Sequence, residues 1–352
     1  MSPLNKPRRS PAVMVVHGPE AFDHGDVAWL LDRIAPLRVI VAGVMARTAA
    51  EESGLDVEYD SRPPSRVIRE IEGPVFLANR GKTAESGKVF GNIIASRLPG
   101  RGLVHAECSS GTVYTWDNGD ALLAMGLAGL TGFSSEDRKS VPDPEDGTRL
   151  IRGCVPGEPV YVNGIVIGRA LADVVAIQSD GKGIRPVSGL DPKPHGLEKL
   201  ARAGTIDPAT AWCKSGSVRS SAAKSGGLAP GQGRIVVIDH CGHTMYQKLG
   251  DDCCGVLAIG DDTTAVCGHI CLHRGIPVLG ITDQDYDTVL PSAFAPGSLI
   301  IDTRPERDDD VGVRVAAMVP EGPVLWHEWV QEVVSRLGDR ATVTLDLRGE
   351  PR

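Results

Sequence analysis

The chain has 352 residues, of which 41% are hydrophobic and 23% are charged, and its formal net charge is -8. This length allows two or three domains with a substantial core, and the composition excludes a disordered, fibrous or disulfide-stapled protein. Aromatic residues make up only 4% of the chain, and the charge is acidic overall. Both features argue against nucleic-acid binding as the main function, because phosphate backbones are held by basic and stacking side chains.

No segment of the sequence predicts a membrane helix or an export signal. The longest nearly apolar stretch, 122–133, has about 12 residues, whereas a spanning helix needs roughly 20. The apolar run Val13 to Val16 is too short for a secretory signal. We therefore expect a cytoplasmic protein, without membrane partners, whose eight cysteines are reduced thiols.

The first third of the chain alternates between short apolar strands and amphipathic helices. Strands are predicted at 13–16, 39–42, 75–78 and 103–106, and helices begin near Asp26, Ala84 and Gly119. This alternation is typical of a parallel sheet with helices on its faces, and it predicts an open Rossmann-like α/β domain over residues 12–141.

The pattern changes after the polar, proline-bearing segment 142–147. The dipeptides Asn163-Gly164 and Asp180-Gly181 each separate two apolar runs, which is the strongest short-range signal of a β-hairpin. Residues 148–190 are therefore predicted to form a small antiparallel β unit.

The remainder of the chain is predicted to hold one linking segment and one further domain. Segment 191–234 contains a helix and then a basic, Ser/Gly-rich loop, which we interpret as a solvated linker rather than a loop that closes on an anion. Residues 235–352 are predicted to form a second, C-terminal α/β domain with a terminal helix near 326–337.

Five cysteines and four histidines cluster between His240 and His273. Thiolates and imidazoles are ligands of zinc and iron, so Cys241, His243, Cys267 and Cys271 form an alternative metal or redox site. The spacing matches no established finger pattern, and buried cysteines are common in helices that pack on a sheet.

Acidic residues follow two predicted strands of the C-terminal domain. Asp261 comes after one strand and Asp283 and Asp285 come after another, and ligands bind at such carboxyl ends in open α/β sheets. Together with the hydroxyls of Thr263 and Thr264, these carboxylates are suited to Mg²⁺ and a phosphate-bearing or nucleotide-like ligand. The alternative interpretation is that these residues are helix caps.

Gly81, Lys82 and Thr83 open a predicted helix directly after a strand. They do not complete a P-loop, because Phe76 stands where its first glycine would be. A lysine, a hydroxyl and free amides at a helix start can still hold an anion, and Gly18 and Gly43 are expected at the same sheet edge. A plain helix start is the competing interpretation.

His195 and Glu198 lie three residues apart at the start of another predicted helix. On one helical face they could act as general acid and base, although a histidine at a helix start is commonly a cap or a surface residue.

Several short strings, taken in order, resemble a known family. They are V-V-H-G-P-E from Val15, N-R-G-K-T from Asn79, V-N-G-I-V-I-G from Val162, H-G-L-E-K-L from His195, G-D-D-T-T-A-V from Gly260 and R-G-I-P-V-L-G-I-T-D from Arg274. The family consists of archaeal proteins, mainly from methanogens, that are classed as a domain of unknown function. The resemblance implies a cytoplasmic methanogen setting and no established activity. A glycine follows the last Thr-Asp pair in the family, where this chain has Gln284.

A weaker likeness is to the swivelling phosphohistidine domain of phosphoenolpyruvate-utilising enzymes. Alignment on Gly275-Ile276-Pro277 places Val266 at the position of the phosphorylated histidine, so that activity does not carry over.

Three hypotheses result. The first is an Mg²⁺-dependent enzyme acting on a phosphate-bearing or nucleotide-like small molecule. The second is a zinc- or iron-binding or redox accessory protein for metallocofactor assembly, and the third is a non-catalytic subunit of a larger complex or a homo-oligomer, with Trp326 and Trp329 as a partner surface or as core residues.

Overall fold

A computed structural model describes residues 10–144, 146–181, 183–202, 204–284 and 293–349. The chain divides into two compact units, each built from three stretches of chain. Unit 1 comprises residues 1–157, 170–191 and 204–210, and unit 2 comprises residues 158–169, 192–203 and 211–352. Segments 148–190 and 191–234 of the sequence-based division therefore each contribute to both units. None of the helices in the described part of the chain is both long and apolar enough to cross a membrane.

Unit 1 contains a seven-stranded sheet in the order β3-β2-β1-β4-β5-β6-β7. Strands β1 to β5 are parallel, β6 is antiparallel to β5, and β7 is parallel to β6. The strands are β1 (Ser10–His17), β2 (Pro36–Ala42), β3 (Glu58–Asp60), β4 (Val75–Asn79), β5 (Leu103–Glu107), β6 (Thr112–Trp116) and β7 (Ser134–Arg138).

Helices cover both faces of this sheet. They are α1 (Glu20–Asp23), α2 (Asp26–Ile34), α3 (Val44–Ser53), α4 (Pro64–Glu70), α5 (Ala84–Ser96) and α6 (Ala121–Thr131). Val27 and Leu30 of α2 and Leu127 of α6 pack with Met14 and Phe76 in one core, and α4 and α5 contribute to the core on the opposite face. The predicted strands and helices of this region are confirmed, because continuous apolar strands and 3.6-residue periodicity are typical of sheets buried on both faces.

The predicted hairpins form as expected but belong to two different sheets. In unit 1, β8 (Arg149–Arg152), β11 (Val174–Ser179) and β12 (Ile184–Ser188) form an antiparallel sheet in the order β12-β11-β8. In unit 2, β9 (Pro159–Val162) and β10 (Ile165–Ala170) pair around Asn163-Gly164, where both residues have positive φ. Strand β14 (Cys213–Ser215) pairs with β9. The short strand β13 (Leu190–Pro192) lies where the chain passes from unit 1 to unit 2.

The main sheet of unit 2 has the order β19-β15-β16-β17-β18-β20. Its four inner strands are parallel and its two outer strands are antiparallel to their neighbours. The strands are β15 (Gln232–Asp239), β16 (Cys253–Ile259), β17 (Val278–Thr282), β18 (Leu299–Asp302), β19 (Val324–Leu325) and β20 (Thr342–Asp346). This arrangement confirms the predicted C-terminal α/β fold.

The helices of unit 2 include α7 (Pro194–Arg202), α8 (Met245–Lys248), α9 (Asp261–Arg274), α10 (Asp308–Ala316) and α11 (Trp326–Leu337). Short 3-10 helices span Gly242–Thr244 and Gly338–Arg340. Val311 of α10 and Val330 of α11 pack on Leu257 and Leu279 of the sheet. Trp326 and Trp329 are buried in the same core, so the interpretation of them as core residues is correct and they present no partner surface.

The basic segment before β15 is not the solvated linker that its composition suggested. Its first half is packed: β14 joins β9, and Arg219 is only 1% exposed, with Nη1 3.1 Å from Nε2 of His269. Farther along, the Gly227 amide donates to the carbonyl of His273 at the end of α9. The low hydrophobicity of the segment gave a wrong prediction because a buried guanidinium and backbone hydrogen bonds hold it, together with the packing of Val218 on Tyr161 and Val166.

Candidate functional site

A cleft in unit 2 opens at the carboxyl ends of β15 and β16. Helix α7 and the β9–β10 hairpin supply the rest of its lining, and its internal space measures about 40 Å³. That space holds a few water molecules or a small hydrated ion. The lining residues are Gly164, Ile165, Val166, Lys193, His195, Gly196, Lys199, His240, Gly260, Asp261, Asp262 and Thr263.

Three aspartates converge beside this cleft. Asp261 is the first residue of α9 after β16, Asp283 follows β17, and Asp308 begins α10 after β18. One carboxylate oxygen from each lies within 4.8 Å of the others. The convergence follows from topology, because the carboxyl ends of neighbouring parallel strands meet at one edge of the sheet.

Asp308 is the most deeply buried of the three, with 0% of the residue exposed. Its Oδ1 accepts a hydrogen bond of 2.8 Å from the Asp309 amide, whereas its Oδ2 is buried without a hydrogen-bond partner among the described residues. Burial raises the pKa of this carboxyl group to about 6, although the charge of Lys199 opposes the rise. A buried carboxylate oxygen with no donor is costly, and a bound cation would compensate for it.

Asp283 also has a buried carboxylate oxygen without a partner among the described residues, and its backbone contacts Asp261. Its backbone amide donates to Oδ2 of Asp261 at 3.1 Å, and its own Oδ1 is buried without a hydrogen-bond partner. Two of the three carboxylates therefore each keep an oxygen that no described protein donor meets.

His240 and Lys199 lie on the other side of Asp308. The Nζ of Lys199 is 3.1 Å from Nε2 of His240 and 3.7 Å from Oδ1 of Asp308. The Nδ1 of His240 lies 2.5 Å from Oδ1 of Asp239, and its Nε2 lies 3.5 Å from Oδ1 of Asp309. Burial alone would lower the pKa of His240, but the hydrogen bond to Asp239 and the nearby carboxylates raise it above its usual value.

The start of helix α9 adds amide donors to the cleft. The first intrahelical bond is donated by Thr264 to Gly260, so the amides of Asp261, Asp262 and Thr263 precede it. Such amides, together with the helix dipole, favour a bound anion. The Oγ1 of Thr264 is instead close to Gly280 on β17, and Thr264 does not line the cleft.

The residues predicted for this site fall into three groups. Asp261, Asp283, Thr263 and His195 lie at or beside the cleft. Glu198 is exposed and is not part of the lining. Asp285 lies outside the described residues, as does the neighbouring Asp287. Gln284 is described and has a φ of 62°, a left-handed conformation that favours glycine.

Sequence reasoning missed two central residues. Asp308 is the first of three consecutive aspartates, a pattern that is typical of a helix start and that does not distinguish a site residue. Lys199 lies four residues after His195, on the same helical face, and this spacing was the available signal.

The anion site expected in unit 1 already contains a carboxylate of the chain. The Gly81 amide donates to Oε1 of Glu107 at 2.9 Å, and the amides of Ser109 and Ser110 donate to the same carboxyl group. Thr83 caps α5 by accepting a bond from the Ser86 amide. Lys82 is exposed beside this cap.

Gly18 and Gly43 both have positive φ and follow β1 and β2. A Cβ at Gly43 would lie 3.2 Å from the His17 ring, whose Nδ1 bonds the carbonyl of Ala42. These contacts describe a packed strand edge, and a ligand there stays a prediction.

The cysteines of the alternative site are mostly buried. Cys267 and Cys271 are completely buried in α9, and burial raises the pKa of both, which favours the neutral thiol. The Sγ of Cys241 lies 3.4 Å from Oγ1 of Thr244, and the side chain of His243 lies outside what the structure describes. In the described part of the chain, no group of three converging ligand atoms includes a cysteine.

Comparisons with known proteins cover most of the chain. Residues 14–322 match the sequence profile of a family described as an uncharacterised protein conserved in archaea. An uncharacterised protein of Methanocaldococcus jannaschii is 28% identical over 325 residues, which cover 85% of this chain and 88% of that protein. No solved structure matches the chain. The residues that line the cleft and the three aspartates all fall within the matched range.

Proposed function

The chain belongs to the family of uncharacterised proteins conserved in archaea (DUF2117), and since that membership carries no activity, we propose one from the cleft of unit 2. The proposed function is an Mg²⁺-dependent enzyme that acts on a phosphate-bearing or nucleotide-like small molecule. The observation that carries the proposal is the fully buried Asp308, whose Oδ2 has no hydrogen-bond donor in the described part of the chain and whose carboxylate lies close to two others.

The choice of cation follows from the ligands. Asp261, Asp283 and Asp308 offer only carboxylate oxygens, which are the ligands that a hard cation such as Mg²⁺ takes. Three carboxylates at this spacing repel one another and are partly desolvated, so a divalent cation would stabilise the ionised form of all three. Protein-bound Mg²⁺ usually completes its coordination with water and substrate phosphates.

The choice of substrate class follows from the donors that line the cleft beside the carboxylates. They include Lys193 and Lys199, and the amides at the start of α9 precede the first intrahelical bond. A phosphate bound there would contact the ammonium groups and the helix N-terminus while an oxygen reached the cation. His195, which lines the same cleft, is the proposed acid or base.

The setting proposed for this enzyme is the cytoplasm. All eight cysteines are free thiols, which is typical of a reducing compartment. The N-terminal sheet has its strands β3, β2, β1, β4 and β5 in the order of doubly wound nucleotide-binding sheets, which supports the Rossmann-like interpretation of unit 1.

Thermal unfolding with and without ligand tests the proposal. We expect Mg²⁺ together with nucleotides or other phosphate compounds to raise the unfolding temperature, because ligand at 100 times its Kd stabilises by about 2.7 kcal/mol. Asp283→Asn and Asp308→Asn should abolish the shift. Asp310→Asn is the matched control, because Asp310 is exposed on the same helix turn and is not among the residues whose ligand atoms converge.

Two results would contradict the proposal. One is the absence of any shift across a panel of nucleotides, sugar phosphates and inorganic phosphate with Mg²⁺. The other is an equal shift in the wild type and in both aspartate variants, because ligand would then bind elsewhere. The metal or redox accessory role is tested separately by the zinc, iron and nickel content of anaerobically purified protein.

A further inference from the structure

A second group of converging ligands shares Asp308 with the first. It consists of His240, Asp308 and Asp309, and one ligand atom from each lies within 4.8 Å of the others. Asp308 thus belongs to both groups, and a carboxylate has two oxygens with which to serve them. The second group differs in chemistry, because it includes an imidazole nitrogen beside two carboxylates.

The histidine of this group is oriented by a carboxylate behind it. The Nδ1 of His240 lies 2.5 Å from Oδ1 of Asp239, so in the neutral ring Nδ1 donates to Asp239 and Nε2 keeps its lone pair. Metal-binding histidines are typically held in this way by a carboxylate on the other ring nitrogen. The backbone of His240 has a φ of 49°, an unfavourable conformation for a residue with a Cβ, and such strain is concentrated at functional sites.

Two basic side chains lie against these ligands: Lys199 contacts His240 and Asp308, and Nη1 of Arg202 lies 3.9 Å from Oδ2 of Asp309. The Nζ of Lys199 lies 3.1 Å from Nε2 of His240 and 3.7 Å from Oδ1 of Asp308, and the side chain is 12% exposed. The ammonium group therefore occupies the position at which His240 and Asp308 would meet a cation. Its flexible four-carbon stem allows it to swing toward the cleft and its anionic ligand when a cation binds.

We infer that unit 2 holds a two-cation centre in which Asp308 bridges an all-carboxylate site, Asp261 and Asp283, and a mixed site, His240 and Asp309. This inference rests on the proposed function, which supplies the first cation. The mixed site favours a transition metal over Mg²⁺, because imidazole is a ligand of transition metals such as Zn²⁺, whereas Mg²⁺ takes oxygen ligands. Two cations about 3.5 to 4 Å apart can stabilise both the attacking and the leaving oxygen of an in-line displacement at phosphorus. The proposed substrates are therefore phosphate esters and anhydrides.

Manganese binding to the full chain tests the inference, with Mn²⁺ as the only added metal. We expect equilibrium dialysis to give two Mn²⁺ per wild-type chain, and electron paramagnetic resonance to show the spin coupling of a carboxylate-bridged pair. His240→Asn and Asp309→Asn should each retain one uncoupled Mn²⁺. Asp310→Asn, the matched charge control, should retain the coupled pair.

The variant Lys199→Met tests the inference through the direction in which the affinity for the second Mn²⁺ changes. A purely structural role of Lys199 would not produce tighter binding. Removal of the competing ammonium should tighten binding of the second Mn²⁺ on the order of tenfold. Weaker binding of the second ion in this variant would overturn the inference. The spin coupling in the wild type is measured without any substitution, so it does not depend on whether a variant folds.

The outcomes separate this inference from the proposed function. One uncoupled Mn²⁺ per wild-type chain that Asp283→Asn removes and His240→Asn leaves in place would overturn the two-cation centre and leave the proposed function standing. No Mn²⁺ binding to the wild type would overturn both.

Discussion

The absence of a side chain at Gly260 leaves room for the ring of His240 in the cleft. This glycine lies between β16 and α9 with a φ of 104°, a conformation that residues with a Cβ rarely adopt. A Cβ built on it would lie 2.8 Å from Nε2 of His240. The imidazole can therefore lie over the start of α9 only because position 260 is glycine.

Replacement of Gly260 should lower both the free energy of unfolding and the affinity for metal ions. We expect Gly260→Ala to lower the free energy of unfolding by more than about 1 kcal/mol, because the backbone is strained and His240 must move. Urea denaturation measures the loss. Gly231→Ala is the control: a Cβ there meets nothing within 4 Å and its φ is not positive, so an equal loss in both variants would contradict the argument.

The residues of the candidate site were only partly predictable from sequence. Asp261 and Asp283 follow strands directly, so the strand pattern alone places them at one sheet edge. Asp308 lies six residues after β18, and Lys199 comes from a helix that precedes the whole sheet in the chain. Their approach depends on tertiary packing, which no local spacing encodes.

At the scale of elements, helix α5 packs closely on strand β5 because two positions of the helix are glycines. A Cβ at Gly87 would collide with the carboxyl group of Glu107, and one at Gly91 would collide with the ring of His105. Although burial raises the pKa of Glu107, hydrogen bonds from Ser110, Gly81 and Ser109 lower it more, so the pKa is below its usual value. The two glycines thus admit a charged and an aromatic polar side chain beneath the helix.

Two helical glycines in unit 1 should respond to alanine with opposite signs. Gly87→Ala should lower the free energy of unfolding by about 1 to 3 kcal/mol, because Glu107 or α5 must shift. Gly126 lies in α6, where a Cβ meets nothing within 4 Å, so Gly126→Ala should raise it by about 0.5 to 1 kcal/mol. Chemical denaturation compares the two, and a gain in the Gly87 variant would refute the collision.

Sequence patterns predicted the elements better than their partners. The Asn163-Gly164 dipeptide fixed the pairing of β9 with β10, because a two-residue turn determines its own register. It carried no information on which sheet the hairpin joins, and β9 in fact pairs with the distant β14. Long-range pairing is decided by the packing of whole faces.

At the scale of the whole molecule, buried ionisable groups link stability to pH. His105 is completely buried, with Nε2 2.5 Å from Oδ1 of Asn79, and burial lowers the pKa of its imidazole to about 4. An unfolded histidine has a pKa of about 6.5. The unfolded chain therefore binds the proton more readily, and stability is lost as the pH falls from about 6.5 toward 4.

This dependence should disappear when the imidazole is removed. The loss attributable to His105 amounts to at most about 3 kcal/mol across that window, and His105→Gln should remove this contribution while Asp308 and His240 continue to titrate. Urea denaturation between pH 7 and pH 4.5 provides the measurement. His24→Gln is the control, because His24 is exposed in the folded protein. A wild-type profile matched by His105→Gln would refute the assignment.

The interleaved path of the chain has a consequence for protein synthesis. Strands β9 and β10 belong mainly to unit 2, yet Thr342, where the last strand of that unit begins, lies 173 positions after Arg169. At a translation rate of about 5 to 20 residues per second, this hairpin leaves the ribosome roughly 10 to 35 s before its unit can be completed. Helix α7, which carries Lys199, likewise emerges before the sheet whose carboxyl ends it faces across the cleft. The candidate site is therefore complete only after Asp308 at the start of α10 has been synthesised, and no contiguous fragment shorter than residues 159–346 contains every described helix and strand of the unit that holds it.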